Sequence, residues 1–101
     1  MFYNVLKAKD LVNLDVKNMD KEILMERGDS CFKIFALKEG EMLDTHTALL
    51  DSAILVIDGQ IEAHFEAEKF RLDKGEIIMF KKDKEHKVLA LKDSKFFVIS
   101  V

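Results

Sequence analysis

Short apolar runs repeat along this chain from residue 21 onward, and turn residues separate each run from the next. Runs of this length that are rich in β-branched and aromatic residues predict strands rather than helices. The predicted strands cover 21–26, 31–38, 42–46, 52–58, 60–66, 69–73, 76–81, 86–91 and 95–101. Many short strands at regular spacing are typical of an all-β sandwich or barrel. Helical signal is confined to one turn over Asp10–Leu14, with Asp10 as its cap.

Two features of the middle of the chain predict how the strands meet. Asp58-Gly59 lies between two apolar runs, over 53–57 and 61–65, and this dipeptide favours a hairpin. The first run is apolar at every position, so the strand is expected to be covered on both faces. A barrel interior covers one face, and an opposing sheet or a second subunit covers the other.

The length of the chain predicts one domain. Its 101 residues form one domain over 1–101, with an N-terminal arm over about 1–20 and a barrel over about 21–101. The sequence contains no apolar run near the ~20 residues of a membrane span and begins with no signal-peptide pattern. We therefore expect no contact with a membrane.

The single cysteine and the net charge indicate where the protein is located and which partners it is expected to bind. The single cysteine, Cys31, has no intrachain partner, so a buried, unreactive thiol in the cytoplasm is expected. The net charge of −3 argues against nucleic acid as a partner. The one basic cluster, residues 81–87, is interpreted as a solvated loop or as a rim that attracts an anionic ligand toward His86.

Two histidines stand at recognisable distances behind glycines. His46 follows Gly40 after five intervening residues, and Gly59 comes further along the chain. His86 follows Gly75 in the same manner, with a longer separation. A small barrel of the predicted strands could point both imidazoles into one cavity.

This spacing resembles the two motifs of the cupin family, and 30–91 is the stretch that carries the resemblance. It implies a double-stranded β-helix, or jelly-roll, barrel in a small single-domain member of the family. The chain departs from the pattern in its ligands. Ala48 replaces the second histidine of the first motif, Ser52 replaces its glutamate, and Lys81 replaces the proline of the second motif.

Cupin metal sites use three imidazoles and one carboxylate, so the resemblance implies a site here with depleted ligands. His46 and His86 would hold a divalent ion such as Fe, Mn, Ni or Zn only weakly without a third ligand. Asp51 could supply it if a bulge turned this side chain inward, and His64 could supply a third nitrogen. The alternatives are an Asp51 that solvates its loop and a His64 on a polar outer face.

The remaining predicted cavity residues are apolar. Ile54, Val56, Met79 and Val88 would give the cavity a hydrophobic wall, which suits a small apolar or aromatic ligand. The function predicted first is therefore a barrel that binds a small molecule and weakly holds a divalent metal.

Two alternative functions stay open. One is a metal-dependent cupin enzyme, of dioxygenase, isomerase or decarboxylase type, that uses His46, His86 and a third ligand. The other is a barrel kept for self-association, with the doubly apolar strand and residues 96–101 as contact surface. Ligand binding and self-association can both hold, and we predict a homodimer formed by sheet packing.

Overall fold

The computed structural model describes residues 3–44 and 48–101 of the chain. The described residues form one short 3-10 helix, Ala8–Leu11, and nine strands. The strands are β1 (Met19–Arg27), β2 (Ser30–Leu37), β3 (Met42–Asp44), β4 (Ser52–Asp58), β5 (Gln60–Phe65), β6 (Lys69–Asp73), β7 (Ile77–Phe80), β8 (His86–Ala90) and β9 (Ser94–Ser100). Each bound lies within two residues of the predicted strand, and the last two predicted residues of β3 lie outside the described residues.

The strands form two antiparallel sheets. The five-stranded sheet has the order β1-β2-β9-β4-β7, and the four-stranded sheet has the order β3-β8-β5-β6. Sequence neighbours β4 and β5 therefore belong to different sheets, and the predicted hairpin at Asp58-Gly59 is wrong. Gly59 has a φ of +81°, which serves a corner between sheets as well as it serves a hairpin. The pairing partners of β4 are β7 and β9, both distant in sequence.

The core fills the space between the two sheets. Side chains on alternate positions of each strand point inward, because successive residues of a strand face opposite sides. The fully buried members include Leu37, Ile54, Val56, Ile61 and Phe96. The Phe96 ring stacks on Phe35 with a centroid separation of 5.6 Å.

The N-terminal arm covers part of the outer face of the five-stranded sheet. Val12 is buried there against Ile34 and Ala36 of β2, with Phe97 of β9 packed alongside. The predicted helical turn was placed two residues too late. The helix begins at Ala8, so Asp10 lies within it and does not cap it. Ile57 also packs against this cluster, so the arm covers one end of the doubly apolar strand β4.

Asp20, at the start of β1, fastens the arm to the sheet. Its carboxylate accepts the backbone N–H of Asn13 at 3.0 Å and that of Lys21 at 2.9 Å. The hydrogen bond from Asn13 is the leading cause that lowers the pKa of Asp20 below its usual 3.8. A lowered carboxylate pKa means that the ionised form holds the contact, so this link is present at neutral pH.

Within residues 3–44 and 48–101, no helix is long and apolar enough to cross a membrane.

Candidate functional site

An interior cavity of about 340 Å³ opens between the two sheets at one end of the barrel. Strands β1, β2, β4 and β9 of the five-stranded sheet form one wall, and β3 and β8 of the other sheet face it. Residues 48–50 also line the cavity. The volume lies near the lower end of the range of small-molecule pockets, roughly 300–1,000 Å³.

Strand register arranges the wall of the five-stranded sheet in two rows of side chains. The outermost row is polar: Ser52 pairs with Ser100, and Ser100 pairs with Cys31. The hydroxyl oxygen of Ser52 lies 3.0 Å from that of Ser100 and 3.1 Å from the Leu50 carbonyl oxygen. These hydroxyls therefore satisfy one another at the cavity wall.

The second row is mostly apolar and lies one step deeper. Ile54 pairs with Val98, and Val98 pairs with Lys33. Val88 of the opposite sheet completes an apolar patch across the cavity. One cation, Lys33, thus continues a row of aliphatic side chains.

His86 lies at the same opening and is 7% exposed. It starts β8, where it pairs with Phe65 of β5. Its ring lies 4.7 Å from the Phe80 ring and 5.8 Å from the Phe65 ring, centroid to centroid. Its Nδ1 is 3.1 Å from the Lys84 carbonyl oxygen, so Nδ1 carries the hydrogen of that bond. Aromatic packing and this hydrogen bond hold the imidazole in place.

The predicted apolar wall residues separate into three groups. Ile54 and Val88 line the interior cavity. Val56 is fully buried deeper in the core and does not reach the cavity lining. The prediction that Met79 lines the cavity is wrong. Met79 is 76% exposed on the outer face, because Ile78 and Phe80 are the residues of β7 that pack inward. His46 lies outside the described residues.

Neither predicted third ligand lies with His86. Asp51 faces outward, where its carboxylate accepts the Lys82 N–H at 3.0 Å and lies 3.7 Å from the Lys81 ammonium. The bulge in β4 falls between Val56 and Asp58, at the other end of the strand, so Ser52 keeps the inward position.

His64 is on the outer face of the four-stranded sheet. It pairs with Lys87, one position away from the inward-facing Phe65–His86 pair, and its Nε2 lies 2.6 Å from a Glu62 carboxylate oxygen. Alternation along β5 therefore points His64 away from the cavity. This outcome corresponds to the polar outer face that the sequence left open.

Five polar cavity residues were missed by the sequence interpretation: Lys21, Asp29, Cys31, Lys33 and Ser100. Cys31 was expected to be buried and unreactive, yet it is half-buried at the cavity wall. The signal that could have found the β2 pair is the alternation Cys31, Lys33, Phe35, because Phe35 is a core residue and the other two share its face.

Solved structures match this architecture over nearly the whole chain. A cupin superfamily protein from Desulfitobacterium hafniense is 17% identical, with a TM-score of 0.90, covering 100% of this chain and 93% of the other. A cupin-2 domain protein from Shewanella frigidimarina is 23% identical, with a TM-score of 0.74 and coverage of 95% and 93%. The chain has the cupin fold.

A third match has no known function. This conserved protein from Streptococcus pyogenes is 21% identical, with a TM-score of 0.86 and coverage of 99% of this chain and 89% of the other. No family model matches the sequence. No curated protein matches it either. The cupin resemblance found in the two histidine motifs is therefore confirmed at the level of the fold.

The cupin fold brings the depleted motif positions to the cavity. Ala48 and Ser52 both line it together with His86, where a metal-binding cupin would carry a histidine and a glutamate. Alanine has no donor atom, and a neutral hydroxyl is a weak ligand for the borderline metals. Among residues 3–44 and 48–101, no group of three histidine, cysteine or acidic side chains could hold a metal ion. The described residues thus do not fit a complete cupin metal centre.

Proposed function

We propose that this cupin-fold chain binds a small, largely apolar molecule in its interior cavity. The observation that carries the proposal is an open cavity of about 340 Å³ whose lining combines a continuous apolar part with polar groups at its edge and on β2. Pockets of this kind bind small molecules by burying their apolar surface, while the polar groups fix orientation. Cys31 as a free thiol suits a reducing compartment, and we include the cytoplasm in the proposal.

The test uses two reporters within the cavity. Benzamide and benzyl alcohol serve as neutral probes, and amide resonances of Ile54, Val88 and Val98 are followed during titration. Because Cys31 is the only cysteine and lies at the cavity wall, its alkylation by iodoacetamide supplies an independent readout. We expect saturable shifts at the three cavity amides and a slower alkylation of Cys31 when a probe is bound.

A matched pair of variants separates cavity binding from surface adsorption. Ala48→Phe introduces a ring at a residue that lines the cavity, whereas Ala67→Phe introduces the same ring on the exposed connection between β5 and β6. Backbone hydrogen bonds to Lys84 and Asp83 keep residue 48 in place. Probe binding should be lost in Ala48→Phe and retained in Ala67→Phe. Equal binding by both variants would contradict the proposal.

The alternative function is a metal-dependent cupin enzyme of dioxygenase, isomerase or decarboxylase type. It requires His46, His86 and a third ligand, and the outward positions of Asp51 and His64 weigh against it. Metal analysis of protein purified without chelator decides between the two functions. Stoichiometric Fe, Mn, Ni or Zn that disappears in the double variant His46→Ala/His86→Ala would favour the enzyme.

A second proposal, compatible with the first, is that the chain forms a homodimer. The specific observation is a row of apolar side chains that crosses all five strands on the outer face of the five-stranded sheet. The members pair in register: Met25, Phe32, Ile99, Ala53 and Met79. Met25 and Met79 are largely exposed. Such a face favours association with a second copy of the same surface.

A further inference from the structure

We infer that the cavity guest carries a carboxylate and that Lys33, assisted by Lys21, binds it at the β1–β2 side of the cavity. This inference rests on the proposed function, because it specifies the chemistry of the same guest. Lys33 and Lys21 both line the interior cavity, and neither belongs to the histidine motifs. The position of the two ammonium groups and the absence of an ion-pair partner for Lys33 among the described residues favour an anionic guest.

Lys33 is a cation in an apolar row. It faces the cavity from β2, with Val98 beside it on β9 and Ile23 beside it on β1. Its side chain is half-buried. Among the described residues, no hydrogen bond or ion pair involves the Lys33 ammonium. A partly desolvated ammonium without an acceptor is costly, and an anion supplied by a guest would relieve that cost.

Lys21 adds a second positive charge on the same face. It pairs with Phe35, two residues beyond Lys33, so the two lysines are diagonal neighbours on adjacent strands. Diagonal neighbours lie about 7–8 Å apart at the backbone, which is within reach of long side chains. Two like charges so placed repel each other, and an anion bound between them attracts both and outweighs that repulsion.

Two acidic residues, Asp29 and Asp44, also line the cavity, and both are exposed. Among the described residues, no ion pair joins either of them to Lys33 or Lys21. Asp44 lies 3.7 Å from the Lys87 ammonium, so it already has a cationic partner outside the cavity. Lys21 is exposed as well, so Lys33 is the cation of the described cavity lining that is partly withdrawn from water, and Lys21 can assist it from the solvent side.

The apolar part of the cavity lining decides the rest of the guest. Val98 and Ile54 continue the row that contains Lys33, and Val88 lines the cavity from the other sheet. A molecule that matches this lining has an apolar body and one anionic end. A monocarboxylic acid of roughly the size of benzoic or hexanoic acid meets these requirements.

Matched acid and amide probes test the charge. Benzoate and hexanoate are compared with benzamide and hexanamide on the full chain, by the same cavity amides and by alkylation of Cys31. The acids should bind more tightly than their amides, and added salt should weaken only the acids. Lys33→Met should reduce benzoate affinity about tenfold, as expected for the loss of one charge-assisted hydrogen bond. Its effect on benzamide should be small.

Two further variants guard the interpretation. Lys33→Arg keeps the charge and should retain most of the benzoate affinity, and Lys69→Met removes an exposed charge on β6 and should change nothing. Equal affinities for acids and amides, unaffected by Lys33→Met, would overturn the carboxylate site and leave the proposed function standing. Failure of all four probes would count against the proposed function itself, and the carboxylate site would fall with it.

Discussion

Positions 48 and 52 determine how many metal ligands the cavity can offer. Both residues line the cavity with His86, so donor groups introduced there would share the cavity with the imidazole. The double variant Ala48→His/Ser52→Glu should bind Ni²⁺ at least tenfold more tightly than the wild type, because it adds a nitrogen and a carboxylate to the donor set. Isothermal titration with Ni²⁺ measures the gain. Adding His86→Ala to this variant is the control, and a gain that survives the control would contradict a shared site.

Single residues also mark where the sequence interpretation succeeded and failed. Ile54 and Val88 were predicted as part of an apolar cavity wall, and both line the cavity, while their contact with a guest stays a prediction. The prediction for Met79 was wrong. All four residues of β7 are apolar, so hydrophobicity alone does not show which of them face the interior. Lys33 was missed because a lysine inside a strand is ordinarily an outward-facing residue. Here Lys33 lies on the inward-facing side of β2, where it lines the cavity.

At the scale of elements, the corner between β4 and β5 joins the two sheets. Gly59 has a positive φ, and a Cβ at this position would collide with the Asp93 carbonyl and with Ser94. Ser94 is fully buried, and its hydroxyl oxygen accepts the Gln60 N–H at 2.9 Å. Gly59→Ala therefore strains the backbone and also disrupts this contact with the start of β9.

Gly40 provides the matched comparison, because its φ of +87° is similar and no atom lies within 4 Å of an added Cβ. Both alanine variants should lose roughly 1–3 kcal/mol from the strained backbone. Gly59→Ala should lose at least about 1 kcal/mol more, since the collision adds an overpacking cost. Urea unfolding measures the difference. Equal free energies of unfolding for the two variants would mean that the corner relaxes freely.

The same corner shows why elements were easier to predict than their partners. Strand bounds depend on local apolar runs and glycine punctuation, and these are readable in sequence. Whether Asp58-Gly59 closes a hairpin or turns between sheets depends on β9 and β7, which are distant in sequence and compete for the edges of β4. Local residue preferences do not show which distant strands will pair with β4.

For the molecule as a whole, the spacing of glycines and histidines predicted the fold beyond what strand patterns alone allow. Alternating runs favour a sandwich or a barrel without distinguishing them, whereas two motifs at the family's separation pointed to the cupin arrangement, and the solved structures agree. The role of the N-terminal arm was not predictable. Its apolar residues, such as Val12, are too few and too irregular to indicate which sheet face they cover.

The outer face that the arm leaves uncovered leads to the prediction of a dimer. The apolar row has Ile99 on the central strand, β9, and exposed methionines at both ends. A twofold axis along β9 would lay Met25 of one copy over Met79 of its partner, beside a groove of about 400 Å³ lined by Ala53 and Val101. Each copy would then supply both a protruding side chain and the groove that receives one, which is the self-complementarity that an isologous interface requires.

Met79→Lys tests this surface directly. It places a charge at the end of the row and at the edge of the groove, so it should convert a dimer into a monomer without touching the core. Met42→Lys is the control, because Met42 is a partly exposed methionine on β3 of the other sheet. Light scattering across a concentration series gives the mass of each protein. We expect dimeric wild type and Met42→Lys with monomeric Met79→Lys, and the proposal fails if the wild type is monomeric at every concentration or if both variants remain dimers.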